Sequence, residues 1–386
     1  MTERDLRFET RAIHAGQKAD PATGATIVPV YQTVTYTQEA IGEHRGYEYS
    51  RSANPTRTAL EECIASLEGG RFGLAYGSGM AAIAGAMQLV SAGEHVVVAD
   101  DLYGGSHRLF TQVLPRYDVR FTYVDATRPE EVSKAVEPET RVIWIESPTN
   151  PLLRLIDIAA CGEIAARAGA LLVVDNTFAT PYLQNPLALG AHVVVHSTTK
   201  YIGGHSDVIG GATVVNDEEL AKKLRFTRNA TGGIPGPWDA WLTLRGLKTL
   251  AVRMRQHETN AARVAAFLRS HRGVAHVHYP GFPDHPGHEI ARRQMRGFGG
   301  MVTIELGDEA AAREFCKSTR LFSLGESLGG VESLVGYPWT MSHGAFSEAD
   351  KLAKGITKAT VRLSVGIEDA EDLCDDLGEA LARATR

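Results

Sequence analysis

The sequence predicts an α/β protein: a mostly parallel central sheet with helices on both faces, plus a smaller C-terminal α+β domain. Three observations carry that expectation. Short apolar runs rich in valine recur between residues 72 and 215. Alanine-rich stretches of helical spacing lie between several of them, as at 79–91 and 157–168. A break, Gly-Gly-Ile-Pro-Gly-Pro at 232–237, then ends the rhythm. Such alternation fits parallel strands joined by crossover helices, with both faces of the sheet covered.

Residues 1–60 are rich in Thr, Gly, Pro and Tyr with little periodicity, and read as an irregular arm that reaches across a surface. Residues 61–255 read as the main α/β domain, with strands expected near 72–76, 95–100, 120–125, 141–147, 171–175, 192–197 and 211–215. One long helical pattern from Trp238 to about Ser270 reads as the bridge to a C-terminal domain, 256–386. Trp238 and Trp241 stand one turn apart on it and are expected to pack against the main domain.

Bulk properties exclude several classes. A chain of 386 residues, 44% hydrophobic and 22% charged, has the composition of a soluble globular protein. A net charge of −6 with interspersed signs gives no basic stripe for nucleic acid. The start, Met-Thr-Glu-Arg-Asp-Leu-Arg, is charged where an export signal needs an apolar core, so a cytoplasmic location is expected. No apolar run reaches membrane-spanning length. Cys63, Cys161, Cys316 and Cys374 are widely spaced and read as small buried residues in a reducing compartment.

The chemistry gathers at the expected strand ends. Lys200 closes the run His-Val-Val-Val-His-Ser-Thr-Thr-Lys, and Asp175 ends Leu-Leu-Val-Val-Asp. In a parallel sheet both would stand where α/β proteins collect ligands. A Schiff-base lysine and an acid for a pyridinium nitrogen are what pyridoxal phosphate (PLP) requires of a protein. Gly77-Ser78-Gly79-Met80 opens a helix, a place where close backbone approach and free amides favour phosphate. Gly77-x-Gly79-x-x-Ala82 with Asp100 also fits a dinucleotide fingerprint, which would make a nicotinamide dehydrogenase. The remaining strand-end residues favour PLP. Ser197 and Thr199 would complete a phosphate cup with the amides of Gly79 and Met80, Tyr103 would stack on the ring, and Asn150 would bond near its phenolic oxygen. Taken singly, a lysine after a strand is a solvated surface residue and a strand-end aspartate is a cap or turn former. Their joint occurrence is the signal.

Longer stretches carry a resemblance. Thr10-Arg-Ala-Ile-His-Ala-Gly16, Tyr49-Ser-Arg-Ser-Ala-Asn-Pro-Thr56, Glu146-Ser-Pro-Thr-Asn-Pro151, Ser197-Thr-Thr-Lys-Tyr-Ile-Gly-Gly-His205, Glu326-Ser-Leu-Gly-Gly-Val-Glu-Ser333 and Val361-Arg-Leu-Ser-Val-Gly366 run essentially end to end. With them the chain resembles the Cys/Met-metabolism PLP enzymes, the trans-sulfuration group containing cystathionine gamma-lyase and gamma-synthase. The resemblance implies PLP-dependent transferase fold type I (aspartate-aminotransferase-like) and a homotetramer of two catalytic dimers. It implies that Tyr49 and Arg51 reach the neighbouring subunit's cofactor phosphate, and that Arg362 holds the substrate α-carboxylate in a bidentate grip. Arg108 and Ser327 lie in matching stretches and are assigned to the substrate pocket. Lys200 would move protons at the substrate's Cα and Cβ, Asp175 would keep the ring nitrogen protonated, and Tyr103 would assist the leaving sulfur, which needs a pKa below the ordinary ~10 if it acts as base.

Glu48 and Glu326 look placed to receive the distal ammonium of cystathionine or cysteine, with a solvated surface acid as the alternative for either. Glu48 with Ser52 in Tyr-Glu-Tyr-Ser-Arg-Ser looks more like the lyases, since enteric-type synthases carry a basic residue where Ser52 stands. Gly105 replaces the cysteine usual in methionine gamma-lyases. The expected activity is γ-elimination of L-cystathionine to cysteine, 2-oxobutanoate and ammonia, with gamma-synthase as the alternative. His276, His278, His285 and His288 straddle a turn-rich loop and match no zinc spacing, so no metal is expected. His205 reads as structural.

Overall fold

The structure, a computed structural model, describes residues 6–385, so residues 1–5 of the charged start and residue 386 lie outside the described range. The chain opens with α1 (Phe8–His14), runs through an extended segment with isolated bridges Thr35–Tyr49 and Ala40–Glu43, and enters α2 (Pro55–Glu68). The irregular arm expected over 1–60 therefore contains a short helix and the start of another. The reason is local. Asn54 accepts from the amides of Thr56 and Arg57, and Pro55 supplies a first helical residue that needs no acceptor.

Strands and helices then alternate: β1 (Phe72–Tyr76), α3 (Gly79–Met87), β2 (His95–Ala99), α4 (Gly104–Arg108), β3 (Arg120–Val124), α5 (Pro129–Lys134), β4 (Thr140–Glu146), α6 (Ile158–Ala168), β5 (Leu171–Asp175), α7 (Thr180–Leu183), β6 (Val193–His196), β7 (Gly211–Val215) and α8 (Glu218–Thr231). The seven strands form one sheet in the order β1-β7-β6-β5-β4-β2-β3. Only β7 runs against the rest, pairing antiparallel with both β1 and β6. Valine-rich β2 and β6 are buried along their whole length, which suits β-branched residues covered on both faces.

Alternation along each strand divides the sheet between two apolar cores. Trp144, Val173, Val193 and Val195 face one side, beneath α3. Ile143, Ile145, Leu172, Val174 and Val194 face the other, beneath α6. This period-two division decides which strand-end residues meet.

After Gly232 the chain forms α9 (Pro237–Leu247) and α10 (Leu250–Ser270). The single long helix expected from Trp238 is broken at Lys248–Thr249. Arg253 accounts for the break: its buried guanidinium donates to the carbonyls of Tyr201 at 2.6 Å, Ile202 at 3.3 Å and Gly246 at 2.8 Å, and its Nε donates to Thr249 Oγ1 at 3.0 Å. The carbonyl of Gly246, which also accepts from Thr249 N at 3.2 Å, thus shares one cation with the turn after Lys200. Trp238 is corrected too. It is 56% exposed and stacks on Trp241 with ring centres 5.5 Å apart, while Trp241 bonds the arm at Val28 O.

The smaller unit comprises β8 (His276–His278), α11 (His288–Gln294), β9 (Met301–Glu305), α12 (Glu309–Ser318), β10 (Ser323–Leu324), β11 (Leu334–Gly336), α13 (Glu348–Ala353), β12 (Thr360–Ser364) and α14 (Ala370–Ala384). Its five strands order as β10-β11-β12-β9-β8, antiparallel except for β10–β11. Of the four histidines near β8, His278 meets Glu305 at 3.1 Å, His285 Nδ1 accepts from Gly287 N at 3.1 Å, and His288 meets Pro280 O at 2.8 Å. Among the described residues no helix is long and apolar enough to cross a membrane, and all four cysteines are buried and free.

Arg253→Met should leave the carbonyls of Tyr201 and Ile202 without this donor and cost about 3 kcal/mol or more. A thermal melt checks this against Arg292→Met, an exposed arginine on α11 whose loss should stay within about 0.5 kcal/mol. Equal melting shifts for the two variants would contradict the account of the break.

Candidate active site

A cavity of about 770 Å³ opens at the carboxyl ends of the parallel strands, where β12 and the Glu326–Ser327 turn of the smaller unit face the large sheet. The residues expected at the site divide sharply. Gly79, Met80, Tyr103, Asn150, Asp175, Ser197, Thr199, Lys200, Glu326, Ser327 and Arg362 all line this cavity. Glu48, Tyr49, Arg51 and Arg108 do not.

Each lining residue has a structural reason for its place. Ser78 caps α3 by accepting from Ala81 N at 3.0 Å, leaving the amides of Gly79 and Met80 at the helix start without intrahelical acceptors. A Cβ on Gly79 would lie 2.7 Å from Ser197 Cβ, so only glycine lets this helix start press against β6. Thr199 Oγ1 is engaged with Gly210, accepting from its amide at 3.1 Å and facing its carbonyl at 3.2 Å. Turned from that carbonyl, its hydroxyl proton is what it can offer a phosphate oxygen.

Lys200 follows β6, and its Nζ donates to Ser327 Oγ at 2.7 Å. Burial and then the charge of Arg362 push this amine down to about 8, while Glu326 pulls it up. Ser327 holds φ +98°, a conformation awkward for any residue with a side chain. Its carbonyl accepts from Arg362 Nη2 at 2.8 Å, so one strained residue engages both cations. Arg362 reaches from β12 to Asn150 Oδ1 at 2.9 Å, and its buried Nε has no partner among the described residues.

Asp175 ends β5 and accepts from Thr177 N at 3.0 Å. Burial raises its carboxyl, and bonds from Thr177 and the charge of His196 pull it part of the way back. Opposite it in register on β4 stands Glu146, which accepts from Tyr103 N at 3.0 Å. Burial, then the neighbouring Asp175 charge, push Glu146 well above the carboxylate range. Of the two, Glu146 is raised the further, so Asp175 ionises the more readily. Reading the sequence for candidates passed over Glu146, although it ends an apolar strand just as Asp175 does. That parallel was the available signal.

The four residues outside the cavity sit elsewhere on the same chain. Arg51 lies over the Tyr49 ring at 5.3 Å, bonds Asn229 at 3.2 Å, and borders a separate concavity of about 240 Å³ with Arg57 and Ile234. Glu48 is exposed and pairs with His44 at 3.0 Å. Arg108 is exposed at the end of α4. His205 turns back on Gly203 O at 2.7 Å.

The lining fits PLP. The helix start at Gly79 and Met80, its amides without intrahelical acceptors, suits a phosphate, the buried Asp175 carboxyl suits a ring nitrogen, and an orphaned guanidinium Nε suits a substrate carboxylate. Among the described residues no group of three His, Cys, Asp or Glu is disposed to hold a metal.

Known proteins agree with this chemistry. Residues 9–382 match the family described as Cys/Met metabolism PLP-dependent enzyme. The chain is 51% identical to a cystathionine gamma-lyase of Bacillus subtilis, covering 97% of this chain and 99% of the other. It is 54% identical to a cystathionine gamma-synthase of Mycobacterium tuberculosis, covering 96% of each. It is also 49% identical to a cystathionine beta-lyase of Lactococcus lactis, covering 97% of this chain and 99% of the other. The crystal structure of a cystathionine gamma-lyase from Lactobacillus plantarum superposes with a TM-score of 0.97 at 45% identity, over 98% of this chain and all of that one.

The Lys200 environment sets a pH dependence. In the protein freed of cofactor, reductive methylation of Lys200, followed by peptide mass spectrometry, should rise with a midpoint near the amine's value of about 8. Arg362→Leu removes a lowering charge and should move the midpoint up, whereas Glu326→Gln removes a raising charge and should move it down. A midpoint near the ordinary lysine value of ~10.4 would contradict the burial argument.

Proposed function

Because the chain belongs to the Cys/Met metabolism PLP-dependent enzymes, we propose that it is a carbon–sulfur lyase that eliminates from Cγ of L-cystathionine. The products are L-cysteine, 2-oxobutanoate and ammonia, with one water consumed. PLP is the cofactor, and when bound it supplies an electron sink for negative charge beside the substrate's amine-bearing carbon. The observation that carries the choice of substrate is the charge of the lining. Its basic groups are Lys200 and Arg362, and Glu326 and Asp207 add carboxylates. That pattern suits a distal ammonium.

The side chains take these parts. Lys200 would carry the cofactor and would move protons at the substrate's Cα and Cβ. Its lowered basicity keeps a large neutral fraction near pH 8. Arg362, oriented by Asn150 Oδ1 and Ser327 O, grips the α-carboxylate with its free Nε. Tyr103, fixed at its amide by Glu146, delivers a proton to the departing sulfur. Asp175 holds the ring nitrogen, and the amides of Gly79 and Met80 with the hydroxyls of Ser197 and Thr199 hold the phosphate. Tyr49 and Arg51, remote from their own chain's cavity, would complete a neighbouring subunit's phosphate site, and Glu48 and Arg108 would meet the substrate there or at the cavity mouth. We take the assembly to be a homotetramer of two catalytic dimers, working in the cytoplasm, where the buried free thiols persist.

A second reading, gamma-synthase, is favoured by the 54% identity to the mycobacterial protein. Product analysis separates the activities. Cystathionine alone should yield cysteine and 2-oxobutanoate. Homocysteine and pyruvate would mark a beta-lyase, and faster cystathionine formation from an O-acylhomoserine and cysteine would mark a synthase.

A further inference from the structure

The face of the sheet turned away from the cavity carries a buried polar network that the chemistry above does not use. Glu146, Asp175 and Ser197 continue the row of Trp144, Val173 and Val195. The next residues, Ser147 and Asn176, and the neighbouring His196 continue the opposite row of Ile145, Val174 and Val194. One side of three strand ends thus meets the cavity, and the other meets Glu68.

Glu68 is fully buried at the carboxyl end of α2. A carboxylate there is disfavoured twice, by desolvation and by the negative end of the helix dipole. Three side chains offset that cost. His196 Nε2 lies 2.7 Å from Glu68 Oε1, Asn176 Nδ2 donates to the same oxygen at 2.8 Å, and Asn185 Nδ2 donates to Oε2 at 3.0 Å. Gln184 extends the chain by donating to Asn176 Oδ1 and Ser147 O, both at 2.9 Å. Asn176 and His196 are also chain neighbours of Asp175 and Ser197, so holding one side fixes the other.

We propose that Glu68 and His196 form a buried positioning pair that fixes Asp175 from the reverse face of the sheet. The inference rests on the reading of Asp175 as the partner of the cofactor ring nitrogen. His196 acts as a hydrogen-bond donor to Glu68, and Asn176 passes the constraint to the neighbouring strand end.

The test compares holoenzymes by rate of PLP loss on dilution, visible circular dichroism of the bound cofactor, and melting temperature. His196→Leu should lose PLP at least tenfold faster and alter the visible band. His196→Gln, which returns an amide donor to Glu68, should stay within threefold of wild type. Asn260→Leu is the control: it removes an equally buried side chain from α10, away from the cavity, where Asn260 bonds Gly366 O at 3.0 Å. It should lower the melting temperature while leaving PLP loss and the visible band unchanged. If His196→Leu behaves like that control, or if His196→Gln is as impaired as His196→Leu, the proposal is wrong. Should His196→Leu fail to fold, Glu68→Gln, which sets a donor against Asn185, is judged by the same tenfold criterion. Asp175→Asn separates the two readings. If it retains PLP at the wild-type rate, the assignment of Asp175 fails rather than that of the pair.

Discussion

The bond from Arg362 Nη1 to Asn150 Oδ1 joins the smaller sheet to the strand ends of the larger one, and the site exists only where the two meet. Arg362 belongs to β12, whereas Lys200, Asp175 and Asn150 belong to the large sheet and its loops. Ser327 makes the second connection, its hydroxyl on Lys200 and its carbonyl on Arg362. Two cations are thereby held in one cavity by neutral acceptors. Their mutual repulsion, partly offset by Glu326, adds to burial in making the Lys200 amine less basic. A carboxylate in place of Asn150 would quench that effect, since it would neutralise the guanidinium and desert the substrate.

The acidic side of the cavity obeys the same logic in reverse. Asp175 and Glu146 stand opposite each other in register, buried and close enough to resist joint ionisation. Glu146, raised the further of the two, accepts the Tyr103 amide, and Asp175 ionises the more readily.

Much of this was legible in the sequence because period-two burial and strand-end chemistry are local properties. The strands at 72–76, 171–175 and 211–215 lie where the apolar runs placed them, and the residues read at their ends converge. What depends on distant partners was not legible. The break at Lys248–Thr249 comes from Arg253 gathering carbonyls of Tyr201 and Ile202, far off in the chain. The exposure of Trp238 comes from its stacking on Trp241 instead of on the main core. Glu146 was hidden because an acid closing an apolar run reads as a cap until its neighbour in register is known. Tyr49 and Arg51 took their expected role from family resemblance, and one chain by itself keeps them apart from the cavity.

The central claim is that Lys200 is the amine that holds the cofactor. Borohydride reduction of the purified yellow holoenzyme, followed by peptide mapping, tests it most directly. The account predicts a pyridoxyl adduct on the peptide containing Lys200 and on no other lysine peptide. An adduct elsewhere, or a reduced protein that releases all its cofactor on denaturation, would contradict it.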